Sequence, residues 1–379
     1  MNPLKDGFSR FLTAAPERLH AAAHSHHPWP DVTFDAHQQA WLDAARLADD
    51  KWDHIFGTVF PSARSRVASV LGLPDPDSLV FAPNTHEFVL RIASTLPAPF
   101  RVLTSDAEFH SFARQSARWE EEGAARVDRV AAEPFASFPD RLLEAAGEGY
   151  DLVFVSHVHF NSGYVIPDLA DLVAALDDAP TVVIDGYHGF MAVPTDLGPV
   201  ADRVFYLAGG YKYAMAGEGA AFLHVPPAAA ARPVNTGWWA GFDALTEAPA
   251  GVPYAGGGRR FAGATADPSG VYRLTAVLDW LDTAGVTVED IHAHVADLQA
   301  RLLASLDPGS AQSLLPPAAS AERGHFLTFR RPDAARLYER AHDRRAITDY
   351  RGDRWRLGLG IYHDDNDIDR LADVVNSIL

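Results

Sequence analysis

The chain has 379 residues, 47% hydrophobic and 22% charged, the profile of an ordinary folded protein with room for more than one core. Its formal net charge of -18 argues against nucleic acid or an anionic membrane surface as a partner. There is no cysteine, which excludes disulfides, thiolate metal sites and cysteine nucleophiles. No stretch approaches the ~20 apolar residues of a membrane span and no signal-peptide core is visible, so a cytoplasmic location is expected.

In chain order, residues 34–52 read as a long helix, with Trp41, Ala45, Ala48 and Trp52 on one face. Seven short apolar runs follow, at 78–82, 101–105, 125–130, 151–158, 181–185, 203–208 and 220–225. They are continuous rather than alternating, as strands covered on both faces are. Amphipathic segments at 85–95, 110–122 and 168–176 lie between them. Strands alternating with helices predict βαβ units and a largely parallel sheet. Residues 226–233 and 315–324 read as connectors. Residues 271–284 and 288–306 read as helices. "HFLTFR", a helix at 333–343, "WRLGLG" and a last helix from Asp365 make a smaller α+β unit.

The cation count isolates one residue. Only Lys5, Lys51 and Lys212 are lysines; every other basic residue except histidine is arginine. Lysine alone supplies an amine that can lose its proton and attack a carbonyl. Lys212 stands between Tyr211 and Tyr213. Upstream, Asp185 closes the run "TVVID" and His188 follows in the same loop. A residue at the carboxyl end of a strand in an open α/β sheet faces the ligand crevice. Asn84 and Thr85 lie between a strand and a helix, where free N–H groups and a hydroxyl suit a phosphate. Pyridoxal 5′-phosphate (PLP) needs such a lysine, a carboxylate for its pyridine nitrogen and a phosphate cradle.

These residues resemble the class V aminotransferase family of fold-type-I PLP enzymes, nearest the kynureninase branch. The resemblance rests on "DGYH", "YKY", "AEFHSF", "VHFNSGYVIPD" and "WRLGLGIYHDDNDIDRL". It implies Lys212 as the Schiff-base lysine, Asp185 on the pyridine nitrogen, His188 against the ring and Tyr211 as phosphate contact and proton relay. It further implies Asn84, Thr85 and Thr265 near the phosphate, Phe109 on the ring, Trp238 near the cofactor and Arg356 on the substrate carboxylate. His24, His26 and Trp29 fall in a segment that crosses the active-site mouth in this family. The implied fold is a large PLP-binding domain at 60–262, with a mostly parallel central sheet, and a smaller α+β domain at 263–379 joined by the segment 1–59. A homodimer with shared active sites is implied as well.

The resemblance places kynureninase-like hydrolytic Cβ–Cγ cleavage of an α-amino acid first. A carbon–sulfur or carbon–selenium β-lyase and a class V aminotransferase stand beside it. A non-catalytic protein that senses an amino acid on the same scaffold is the reading from another class. Two departures from kynureninases are Gly210, where a serine is usual, and "FAGAT" in place of a Phe-Ser-Asn run. Cysteine desulfurases carry a histidine where Tyr211 stands and need a catalytic cysteine. The run His24, His26, His27 matches no standard zinc spacing, so no metal is expected.

Overall fold

The apolar runs become one seven-stranded sheet. A computed structural model describes residues 4–176, 180–229, 231–244, 251–307, 313–316 and 322–379. The strands are β1 (Leu79–Ala82), β2 (Phe100–Ser105), β3 (Ala125–Val130), β4 (Leu152–Ser156), β5 (Thr181–Asp185), β6 (Val204–Gly209) and β7 (Ala221–His224). Their order is β1-β7-β6-β5-β4-β2-β3, and β7 alone runs antiparallel to its neighbours. The reason is the connection. Residues 210–220 return from β6 to β7 without a helix, and a parallel partner would need a crossover of a dozen residues or more.

Alternation along each strand sends side chains to two cores. Val153, Val155, Val182 and Ile184 join one; Leu152, Phe154, Val183 and Leu207 join the other. The first is covered by α2 (Phe60–Val70), the second by α3 (Thr85–Ala93) and α4 (His110–Glu121), the first again by α5 (Phe138–Ala146) and α6 (Leu169–Ala175). Phe112 of α4 stacks on Phe154 with ring centroids 3.6 Å apart. Burial of two such rings stabilises by several kcal/mol, at roughly 1.5–3 each.

The predicted helix at 34–52 differs in detail. The first helix runs Val32–Leu47 and breaks at Ala48, which has φ +50°. Its buried face carries Thr33 and Asp43, because Asp43 meets the hydroxyl of Tyr272 at 3.2 Å. Of the expected apolar stripe, Trp41 (69% exposed), Ala45 and Ala48 turn outward, while Trp52, beyond the break, packs on Phe56 and Trp239. Parts of both predicted connectors, Ala230 and 317–321, lie outside the described residues.

After Ser269 come α7 (Ser269–Thr283) and α8 (Val288–Ser305), then β8 (Phe326–Arg330), α9 (Ala334–Asp343), β9 (Asp349–Arg351), β10 (Arg354–Gly358) and α10 (Asp365–Ile378). Helix α8 opens with a capping box between Thr287 and Asp290, and α10 with one between Asp364 and Asp367. Strand β10 lies between β9 and β8, antiparallel to both. Trp355 and Leu357 point into a third core, with Leu298, Leu337 and Leu371. Arg354, Arg356 and Gly358 therefore share the opposite face. The N-terminal segment runs beside this sheet: Leu19 pairs with Ala346 in a separate two-stranded sheet, and Ala22 bridges to Gly358. The chain then passes His24 toward the loop that holds Lys212.

Candidate active site

Three adjacent strand ends build the centre. Ser156 closes β4 opposite Asp185, which closes β5, and β6 delivers the loop with Lys212. Lys212 is 9% exposed, and its Nζ donates to the carbonyl oxygen of His24 at 2.7 Å. Burial, and next Arg356, bring its pKa down to about 7, against the pull of Asp185 and Asp349. Near neutral pH an appreciable share of the amine is therefore uncharged. Asp185 Oδ1 accepts the backbone N–H of Tyr187 at 2.9 Å. Burial pushes this carboxyl up to about 6, while that N–H and Lys212 work the other way.

Aromatic rings enclose the amine. Phe109, the residue before α4, has its ring centre 6.0 Å from Lys212 Nζ and lies edge-on to Phe160. The Tyr211 ring is 5.9 Å from Nζ, and its hydroxyl lies 3.4 Å from His26 Nδ1. His188 is buried, with its ring 6.0 Å from that of Phe326. Burial, helped by Lys212, His24 and Arg356, keeps His188 well below its ordinary pKa, so its ring is neutral.

Arg356 comes in from β10. Its guanidinium donates to the carbonyl of Phe160 and to Asp349 Oδ2. Asp349 sits directly opposite Arg356 in the β9–β10 ladder. Burial works against its charge, but the His24 ring and Arg356 hold its carboxyl well below the usual range. His24 is fully buried and stacked on Phe326 at 4.6 Å; its Nε2 lies 3.5 Å from Asp349 Oδ2, and its Nδ1 makes no hydrogen bond. Burial lowers its pKa to about 3. Trp29 lies against Gly217: a Cβ there would stand 2.3 Å from its ring, and Gly217 has φ +71°. Trp29 thus seats the lysine loop, with the Arg273 guanidinium 5.2 Å from its ring and bonded to the carbonyls of Ala216 and Glu218.

Asn84 caps α3 by accepting the Glu87 N–H at 3.1 Å. Asn84 and His86 line a cleft of about 810 Å³ with Ser111 and Arg114 of α4, and Thr85 opens the helix between them. Trp238 and Thr265 meet each other instead, Nε1 to Oγ1 at 3.0 Å, beside Trp239 and Phe242. Gly210 has a steric reason: a Cβ would lie 3.0 Å from that of Ala216 and 3.2 Å from the Gly217 carbonyl oxygen, so the usual serine would be crowded.

One buried acid escaped the sequence reading. Glu108 accepts from Ser105 Oγ at 2.6 Å and from Ser156 Oγ at 2.5 Å and N–H at 3.2 Å. Burial raises its pKa to about 7; the three hydrogen bonds oppose this, and nearby Asp185 adds to it. The only available signal was its place beside Phe109, between a strand end and a helix start. Asp349 also escaped, because only strand pairing brings it to Arg356.

The family model for class V aminotransferases matches residues 46–371. The chain belongs to the class V aminotransferase family. Isopenicillin N epimerase of Streptomyces clavuligerus is 29% identical over 372 residues, covering 88% of this chain and 89% of the relative. Kynureninase of Deinococcus radiodurans is 27% identical over 246 residues, covering 63% and 60%. Among solved structures, the cystine C–S lyase C-DES, as a mutant with glycine linked to its PLP cofactor, matches with a TM-score of 0.84. That match covers 100% of both chains at 17% identity, so it speaks to the fold.

The family is PLP-dependent, and this site fits the cofactor. A buried amine of lowered pKa, a carboxyl on the next strand end, an aromatic face and the start of helix α3 lie at the carboxyl ends of the strands. Among the described residues no group of acids and histidines suited to a metal ion is present, and no helix is long and apolar enough to cross a membrane.

Proposed function

We propose that this enzyme is a PLP-dependent lyase that takes the Cα proton from an α-amino acid and expels a sulfur- or selenium-bearing group from Cβ. The buried Lys212, with its pKa near 7, carries this reading, because it can both hold the cofactor and act as the base. Bound PLP supplies an electron sink for the carbanion at Cα. Asp185 would hold a negative charge against the pyridine nitrogen. Neutral His188 and Phe109 would hold the cofactor ring. The N–H groups at Thr85 and His86, at the start of α3, would hold its phosphate. Arg356 holds the substrate carboxylate through its planar fork. Tyr211 stands at the mouth to pass a proton to the leaving group. With no cysteine in the chain, expelled sulfur leaves on a small molecule rather than as an enzyme persulfide. C-DES is a cystine C–S lyase on the same fold, which supports the proposal.

Kynureninase-like hydrolysis at Cβ–Cγ is the second reading. The Tyr211–His26 pair favours it, since a hydrated carbonyl needs a proton relay at the open side. The kynureninase relative supports it too. We place the enzyme in a homodimer that completes the cofactor site, with Trp238 and Thr265 serving the partner's cofactor. Phe34, Trp41 and Leu42, exposed on the first helix, supply an apolar face for it.

A substrate panel separates the readings. S-alkyl cysteines releasing pyruvate support the lyase. Kynurenine releasing alanine supports the hydrolase, and keto-acid exchange with alanine supports transamination. Borohydride reduction followed by peptide mapping locates the cofactor; a label on Lys5 or Lys51 overturns the assignment of Lys212.

A further inference from the structure

The inner face of the small sheet carries more arginine than a single carboxylate clamp requires. In the β8–β10 ladder Arg330 stands opposite Arg354, and in the β9–β10 ladder Arg351 does too. Arg356 lies two residues further along β10, on the same face. The series runs from solvent inward: the side chains of Arg351, Arg330, Arg354 and Arg356 are 47%, 42%, 18% and 4% exposed. Three carboxylates face these four cations. Asp349 pairs with Arg356 and, at 2.5 Å, with Arg351; Glu133 pairs with Arg330 and, at 3.0 Å, with Arg354; Asp353 lies 3.8 Å from Arg330. One positive charge is left over, in a chain of net charge -18. The charge of Arg351 reaches the site, since it helps lower the Lys212 pKa.

Buried polar atoms without hydrogen bonds gather at the inner end. They are Arg356 Nε, Thr328 Oγ1 opposite it in the ladder, His24 Nδ1, and Asn161 Oδ1, while His24 Nε2 faces Asp349 Oδ2 at 3.5 Å. Native interiors leave few such atoms, and a cluster of them marks a place that something polar fills. A network serving only to hold the sheet would balance its charges and satisfy its donors.

We infer that this ladder is a second anion subsite, and that the substrate is an α-amino acid bearing another carboxylate at the far end of its side chain. This rests on the reading that Arg356 holds the α-carboxylate. Two residues along a strand span about 7 Å, so the second carboxylate lies about that far outward, beside Arg351 and Arg354. A cysteine thioether with a carboxyethyl group on sulfur has this length.

The test titrates the holoenzyme at low salt with L-alanine, S-(2-carboxyethyl)-L-cysteine and S-propyl-L-cysteine, following the first change in absorption of the bound cofactor. The carboxyethyl compound should bind about tenfold more tightly than the propyl one, as expected for a charge-assisted contact. In Arg351→Gln the ratio of the two dissociation constants should fall toward one, and Arg351→Lys should restore most of it. Arg351 is half exposed on an edge strand, so the variants should fold; thermal midpoints check this. A ratio near one in the unmodified enzyme, or a ratio that survives in Arg351→Gln, overturns the subsite. If alanine shifts the spectrum and the ratio is one, only the subsite falls. If none of the three compounds shifts it, the amino-acid reading of Arg356 falls as well.

Discussion

Lys212 and Glu108 are two buried ionisable groups displaced toward neutrality by the same physics. Each is closed off from water, so each resists its charged form. For Lys212 the sign of the pH linkage is definite. Its pKa is about 7 in the folded chain against an ordinary 10.5, so the unfolded chain binds more protons in that interval. Stability of the cofactor-free protein should therefore fall as pH drops from about 10.5 to about 7. Lys212→Met should lack this slope, and urea unfolding across that range will detect it; parallel curves for the two proteins would refute the buried amine. Glu108→Ala should strand two serine hydroxyls and the Ser156 N–H, at a cost of about 1–3 kcal/mol. It should also speed cofactor loss from the holoenzyme, since Phe109 follows directly. Glu108→Gln should keep most of both properties. Asp185→Ala should depress turnover by orders of magnitude while leaving the thermal midpoint nearly unchanged; a joint collapse would make Asp185 a structural residue.

At the scale of elements, the lysine loop is held by parts from two distant regions of the chain. The N-terminal segment His24 to Trp29 gives the carbonyl that Lys212 touches and the ring that rests on Gly217. Arg273 on α7 ties down the carbonyls of Ala216 and Glu218. Gly217→Ala should be among the costly single-methyl changes. It adds a Cβ where φ is +71° and drives it into Trp29. We expect a loss of about 1–3 kcal/mol and a red shift of tryptophan emission as Trp29 is dislodged. Unchanged stability and emission would mean the loop is looser than its contacts imply.

For the whole molecule, the exposed face of the first helix is the feature a single chain does not explain. Phe34, Trp41 and Leu42 are 45%, 69% and 52% exposed. In the proposed homodimer built on this face, Trp41→Glu should shift the protein toward monomer in sedimentation at micromolar concentration. Under the proposed homodimer, in which the partner completes the cofactor site, it should weaken cofactor retention too. A variant that sediments like the unmodified protein would place the interface elsewhere.

Local sequence carried the cofactor and the strands of a largely parallel sheet, though not their order. A lone lysine in an arginine-based chain, an aspartate at a strand end and a capped helix start are local features, each written in a few adjacent residues. Continuous apolar runs likewise announce strands covered on both sides. Gly210, met as a departure from kynureninases, became intelligible only once Ala216 and Ala220 were seen to fill the space beside it. The tertiary structure alone decided the surroundings of the charges. Asp349 meets Arg356 through antiparallel register, Glu108 joins the ends of β2 and β4, and His24 reaches Phe326 across some three hundred residues of chain. Such contacts leave no periodic or local trace. A buried charge is indifferent to how far along the chain its partner lies, and only the closed fold, with water excluded, makes the pairing matter.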